Sequence, residues 1–297
     1  MDDKSLHAFL ALAQMLHFGR AAEHCHMSAS ALSRLIQRLE ADAGAVLFLR
    51  DNRAVKLTPE GLRFLDYARD ALQRWDACRQ SLRGDDAVLQ GDVRLFCSVT
   101  ASYHFLSRIL PAFRQRYPGI EIHLHTGDQA ESLQRVMAGT EDMAIAAQVE
   151  PWPERLAFLP MAQTKLVFIQ PVVEGGGSLP ARTQEDWSSI PLIVAERGIS
   201  RQRFDEWSVH AGIQPNVYAQ VAGHEAIVGM VSLGYGVGVV PELVLASSPL
   251  KDRVMVCVDA PLLEPVSIGL CCLRRNRADL RVKAFWDVAQ AAFTRSS

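Results

Sequence analysis

The chain has 297 residues, 49% of them hydrophobic and 22% charged, with a formal net charge of −2. That length can bury more than one core, and the mixed charges exclude a disordered chain. There is no global basic field of the kind that announces nucleic-acid binding, and no apolar run reaches the roughly 18 residues of a membrane span. The six cysteines, at 25, 78, 97, 257, 271 and 272, form no CxxC pair and read as reduced thiols. The start MDDKSLHAFL is acidic where a secretion signal is basic, so a cytoplasmic protein is expected.

In chain order, Leu6, Phe9, Leu10 and Ala13 predict a first helix over 4–15. A short second helix follows over 18–24, and its Ala21-Ala22 pair is small enough to admit a close neighbour. Cys25-His26-Met27 then turns the chain, and Ser28 is a good N-cap for a third helix. Leu32, Leu35, Ile36 and Leu39 form its apolar stripe, opposite Ser30, Ser33, Arg34, Gln37 and Arg38. Gly44 ends it. Two short strands, 46–49 and 55–57, flank a polar turn and make a hairpin wing.

Thr58-Pro59 is a capped helix start, and the helix extends to about Arg83. Leu65, Ala68, Leu72, Trp75 and Leu82, interrupted by Arg79, make a coiled-coil-like seam. The seam favours dimerisation over packing within its own domain. Gly84-Asp85-Asp86 begins a linker.

Beyond the linker, strand-like runs at 93–97, 120–124, 143–147, 166–170, 192–195, 217–221, 237–240 and 267–273 alternate with helical patterns. This is an open α/β architecture, which binds ligands outside the C-terminal ends of its strands. Gly175-Gly176-Gly177 reads as a loop and not as a phosphate cradle.

A helix on a three-helix unit can enter the major groove of DNA. Arg34 suits guanine, Gln37 suits adenine, and Ser30 and Ser33 are less selective. Arg38, Arg50, Arg53 and Lys56 are placed for phosphates. From Phe18 to Thr58 there are six basic residues against four acidic ones, so the segment has a local positive excess.

Phe18-Gly19-Arg20-Ala21-Ala22, Ser28 through Glu40, Leu47-Phe48-x-Arg50, Arg53 and Leu57-Thr58-x-x-Gly61 resemble the signature of LysR-type transcription regulators. The chain departs from many members at Ala29 and Leu35, where they carry Gln. The resemblance implies a winged helix-turn-helix over 1–58 and a linker helix over 59–88. It also implies a two-lobed, periplasmic-binding-protein-like effector domain over 92–297. Lobe I would span about 92–162 and 269–297, and lobe II about 163–268. A homodimer or tetramer on double-stranded promoter DNA is implied as well.

Within the family, six further stretches narrow the resemblance: Arg50-Asp51-Asn52-Arg53, Phe96 to Ala101, Thr126-Gly127-Asp128, Asp186-Trp187-Ser188, Gly223 to Ala226, and Phe285-Trp286. They are similar to activators of the acetohydroxy-acid isomeroreductase gene in branched-chain amino-acid synthesis. That similarity implies acetolactate or acetohydroxybutyrate as co-inducer, bound between the lobes and changing their angle.

Ser98 and Thr100 follow the first strand of the effector domain and precede a helix, a corner suited to a carboxylate. Asp128 lies on the same rim. Ser200 and Arg201 open one helix of the other lobe, and His224 and Glu225 open another. Arg201 is expected to pair with the ligand carboxylate and His224 to donate to a ketone or hydroxyl. Glu225 reads first as a cap of its own helix.

His24-Cys25-His26 cannot face one ion from a regular helix, and His123 with His125 lacks evident partner ligands. Neither metal nor cofactor is expected. Cys97, Cys271 and Cys272 read as core residues and not as a redox sensor. No catalytic constellation can be argued from residue order, so the chain does not read as an enzyme. Two other readings compete: a family member that senses a different small acid, and a solute-binding protein without DNA binding.

Overall fold

A computed structural model describes residues 2–51, 54–82, 89–172 and 184–294. Asn52 and Arg53, the Gly84–Asp86 linker and the Gly175–Gly177 loop lie outside them, and so does the side chain of Arg50. The chain forms two compact units, residues 1–87 and 88–297.

The first unit contains α1 (Asp3–Met15), α2 (Phe18–His24), α3 (Ala29–Ala43), the hairpin β1 (Phe48–Asp51) and β2 (Ala54–Leu57), and α4 (Pro59–Leu82). Local chemistry sets the ends of α3. Ser28 accepts a hydrogen bond from the Ala31 amide at 3.2 Å, and Gly44 takes φ 66° at the other end. Leu32, Ile36 and Leu39 are buried with Phe9, Leu12 and Ala21 in one core. The buried Ala21-Ala22 pair keeps the helices close. Phe9 meets Phe48 and Phe64 with ring centroids 5.2 and 4.8 Å away, which ties the wing and α4 to α1.

The Glu40 carboxylate on α3 accepts from the amides of Leu47 and Phe48 at 2.8 and 3.1 Å and so anchors the start of the wing. Thr58 caps α4, accepting from Gly61 N at 2.8 Å while donating to Val46 O at 2.7 Å. A Cβ at Gly61 would stand 2.1 Å from Leu47 O, so only glycine permits this approach.

The seam on α4 divides between two roles. Ala68 and Leu72 are buried in the unit's own core with Leu65 packed against them, whereas Trp75 is 48% exposed. The N-terminal half of the seam therefore serves the domain that carries it, because α1 and the wing supply an apolar surface within reach.

The second unit holds two five-stranded sheets, one per lobe. In chain order it runs β3 (Gly91–Cys97), α5 (Val99–Ala101), a π-helical turn (Ser102–Leu106), α6 (Ser107–Arg116), β4 (Ile120–Thr126), α7 (Ser132–Met137), β5 (Met143–Ala147), β6 (Leu156–Thr164), β7 (Leu166–Pro171) and α8 (Gln184–Ser189). It continues with β8 (Leu192–Ala195), α9 (Ile199–His210), β9 (Val217–Val221), α10 (His224–Ser232), β10 (Val237–Pro241), α11 (Glu242–Ser247), β11 (Val254–Val256), β12 (Val266–Leu273) and α12 (Leu280–Thr294).

The first sheet has strand order β4-β3-β5-β12-β6, and the second β11-β7-β10-β8-β9. β3 is parallel to β4 and β5, and β8 is parallel to β9 and β10. The C-terminal ends of these parallel strands border the crevice. The chain crosses between sheets after Thr164 and returns before Val266, which places those crossings two to three residues from the boundaries expected from sequence.

Two strands are additional to the expected set, β6 and β11, and both lie at sheet edges. β6 contains Pro160, which weakens a strand signal. Pro160 pairs opposite Gly269, where the register shifts, so the sheet accommodates it at an irregularity on its edge. β11 has three residues and little periodicity to read.

Candidate functional site

The first candidate surface is the open face of α3. Ser30, Arg34, Gln37 and Arg38 are exposed and Ser33 is half-buried. Arg34 Nε lies 3.4 Å from the Ser30 carbonyl, which holds its guanidinium along the helix. Lys56 on β2 is exposed. Arg53 and the side chain of Arg50 lie outside the description.

The second candidate is the crevice between the lobes. The buried packing beneath it sets where α10 starts. A Cβ at Gly238 in β10 would stand 2.5 Å from Ile227, so this glycine lets α10 lie close against the sheet. Gly223, with φ 83°, turns the chain into α10 and sets His224 and Glu225 at its first two positions. Ser200 is buried at the first turn of α9, and its hydroxyl lies 3.0 Å from His224 Nε2. Burial pushes His224 below the ordinary histidine value, so the ring is neutral at neutral pH.

Across the crevice, Ser98 caps α5 by accepting from Ala101 N at 3.2 Å. Thr100 is buried, and both its hydroxyl and its amide, the latter at 3.0 Å, donate to Glu225 Oε1. Burial works against the Glu225 carboxylate, but the Thr100 bonds and Glu225's own amide outweigh it and hold the group below its ordinary pKa. Glu225 thus does more than cap its own helix: it reaches across to the other lobe. Asp128 accepts from Ala130 N at 3.1 Å and from Arg197 Nε at 3.3 Å.

Arg201, expected to pair with a ligand carboxylate, has partners on its own lobe. Its Nε donates to both carboxylate oxygens of Asp205, at 2.8 and 2.9 Å, and one terminal nitrogen reaches Gln220 at 2.6 Å. The helical i, i+4 spacing supplies the aspartate and β9 the glutamine, so this arginine makes its bonds within its own lobe. The arginine lining the crevice is Arg197, which also reaches Glu131 at 2.9 Å. Gln129 is a second residue absent from the sequence expectation; it borders both the cavity at His224 and the one at Thr100. Each follows a strand end, Arg197 after β8 and Gln129 after β4, and that position was the available signal.

Among the described residues, no three or more His, Cys, Asp or Glu side chains gather in a way that could hold a metal ion. His125 instead pairs with Glu141 at 3.0 Å. Burial pushes the thiols of Cys97, Cys271 and Cys272 up to about 12, so they are protonated and poorly nucleophilic at neutral pH. No described helix is long and apolar enough to cross a membrane.

Two family models match the chain: the bacterial regulatory helix-turn-helix of the lysR family over residues 4–62, and the LysR substrate binding domain over residues 86–294. The chain belongs to the LysR family. As a LysR-type regulator it joins a DNA-binding helix-turn-helix to an effector-binding domain.

Among its relatives is the HTH-type transcriptional activator IlvY of Salmonella typhimurium, 40% identical over 97% of this chain and 99% of that protein. The HTH-type transcriptional regulator IlvY of Escherichia coli K12 is also 40% identical, over 97% and 98%. The LysR architecture is matched by full-length OxyR from Pseudomonas aeruginosa, with TM-score 0.74 and 20% identity over 98% of this chain and 95% of that one. ArgP from Mycobacterium tuberculosis matches with TM-score 0.74 and 18% identity, over 99% and 98%.

Proposed function

We propose that this LysR-type regulator activates a gene of branched-chain amino-acid synthesis, that of acetohydroxy-acid isomeroreductase, when acetolactate or acetohydroxybutyrate binds between its lobes. The observation carrying this reading is the 40% identity to IlvY proteins across nearly the whole chain, effector domain included. The crevice chemistry supports it. Donors at Thr100, Ser98 and Ser200 suit a carboxylate and a hydroxyl, and neutral His224 can donate or accept beside a ketone.

DNA is read by α3, with Ser30, Ser33, Arg34 and Gln37 toward base edges and Arg38, Arg50, Arg53 and Lys56 toward phosphates. Residues 1–58 bind DNA, 59–88 link, and 92–297 sense the inducer. The working form is a cytoplasmic homodimer or tetramer without enzymatic activity. Ligand entry changes the angle between the lobes and, through the oligomer, the bend in DNA.

Gel retardation at graded salt tests the DNA half, with promoter DNA lying upstream of the isomeroreductase gene in the same genome. Specific binding with a steep salt dependence is expected. Thermal shift with acetolactate and acetohydroxybutyrate, against a panel of other small acids, tests the ligand half. A ligand at a hundred times its dissociation constant adds about 2.7 kcal/mol to the native state. Stabilisation by a different acid alone would replace the inducer. Loss of specific DNA binding would leave a solute-binding protein.

A further inference from the structure

Glu225 holds a position that a ligand carboxylate would need. Thr100 offers two donors, its amide and its hydroxyl, and both point at the same oxygen of the Glu225 side chain. The two residues are 125 positions apart and stand on opposite lobes. Thr100 is 5% exposed, whereas Glu225 is an exposed residue whose Oε1 accepts both Thr100 bonds. The donor side is therefore buried, and the acceptor is a long side chain on an exposed residue.

The charges around the crevice make this arrangement consequential. Arg197 is engaged by two carboxylates, Asp128 and Glu131. His224 is uncharged at neutral pH, because burial disfavours its cation. Arg135 also pairs with Glu131 at 2.8 Å; even against both arginines, a ligand carboxylate added beside Glu225, Asp128 and Glu131 would meet an excess of negative charge. Exchanging one carboxylate for another at Thr100 adds none to that seat, and the displaced Glu225 can be solvated at the rim. Thr100 also borders a small cavity of about water size, whose lining is apolar at Ala101, Phe105, Ile145, Val244 and Ile268 and polar at Ser98 and Gln129.

We propose that the Glu225 carboxylate is a built-in competitor, holding the Thr100 seat across the lobes until the carboxylate of a small hydroxy- or oxo-acid takes that seat from it. This rests on the crevice being the inducer site. Glu225 thereby sets the inducer threshold: the fraction of molecules with the seat open scales the apparent affinity.

The experiment titrates racemic 2-acetolactate into the full-length protein by calorimetry, for wild type, Glu225→Ala, Glu225→Gln, Thr100→Val and the Glu225→Ala/Thr100→Val double variant. Removing the competitor should tighten binding about ten- to hundredfold in Glu225→Ala, the scale of one charge-assisted hydrogen bond. Glu225→Gln, which keeps the shape but accepts more weakly, should fall between. Thr100→Val removes the hydroxyl but keeps the amide. It should therefore bind more weakly than wild type, and adding Glu225→Ala to it should tighten binding by less than Glu225→Ala tightens wild type.

If Glu225→Ala and Glu225→Gln bind acetolactate as wild type does, or more weakly, while Thr100→Val still weakens binding, the competitor is overturned and the crevice remains the inducer site. If no variant binds acetolactate, the inducer assignment falls and the competitor with it. If all bind equally, the ligand sits elsewhere and both fall.

Discussion

The helix-turn-helix unit and the effector-binding unit assemble their candidate surfaces in opposite ways. On α3, Ser30, Arg34, Gln37 and Arg38 stand within nine consecutive positions of one helix, and the turn geometry alone puts them on one face. In the crevice, Thr100 and Glu225 are brought together over 125 positions by two sheets and the helices between them. The first surface survives as long as a helix forms. The second exists only when two lobes are correctly folded and correctly placed against each other. Changes in the first unit should therefore separate stability from recognition cleanly, whereas changes in the second should mix them.

The sharpest way to break that contrast is through the core of the first unit. Ile36 is fully buried on the inner face of α3, so Ile36→Ala should destabilise the unit by about 2–5 kcal/mol. Thermal unfolding and gel retardation should both register the loss, while acetolactate binding measured by calorimetry should persist. If inducer binding disappears as well, the two units do not fold independently.

On the outer face, Arg34→Ala should cost about 1–3 kcal/mol of specific DNA affinity, with the melting temperature nearly unchanged. Arg38→Ala should weaken binding similarly across sequences and reduce the salt slope by about one. Equal effects of the two variants on specificity, measured against a scrambled operator, would erase the division between base reading and phosphate contact.

Thr58 connects the wing to α4 through two hydrogen bonds. Thr58→Ala should lower stability of the first unit by about 1 kcal/mol, the ordinary worth of a helix cap. A much larger loss in chemical denaturation would show that the wing depends on this hydroxyl more than on the Glu40 carboxylate.

The smallest effect concerns pH and belongs to the second unit. Burial holds His224 below 6.5, its ordinary value. The unfolded chain then takes the proton first, so this contribution to stability is complete above 6.5 and is lost as pH falls toward the folded value. His104, also lowered by burial, acts in the same direction. Glu225 adds its own loss only below 4.5. In His224→Gln, denaturation midpoints should therefore decline less steeply just below pH 6.5. An unchanged slope would mean that His224 is solvated.

Periodicity made the helices of the first unit legible, together with their caps at Ser28 and Thr58, because each depends on neighbours within four residues. It also made legible the two-fold division of α4's surface into apolar and polar positions, but not which apolar positions would be covered. Leu65, Ala68 and Leu72 present the same spacing whether they meet a second chain or their own domain, and only the placement of α1 and β1 decided it. The strands of the second unit were legible where they are continuous and apolar, and not where a proline or a length of three weakened the pattern, as in β6 and β11.

In the crevice, the positions after strand ends lie together between the lobes, since open α/β sheets expose their loops there. They did not tell Arg197 from Arg201. Both are arginines near the start of α9, and the difference is that Asp205 lies one helical turn from Arg201 while Asp128 and Glu131 lie across the crevice from Arg197. The amino-acid sequence by itself determined that this chain carries a DNA-reading helix, a wing and a sensing domain, because those follow from local spacing and motif. Only the tertiary structure decided that Glu225 faces Thr100, because a hydrogen bond between distant lobes depends on where both are held, and no local pattern records that.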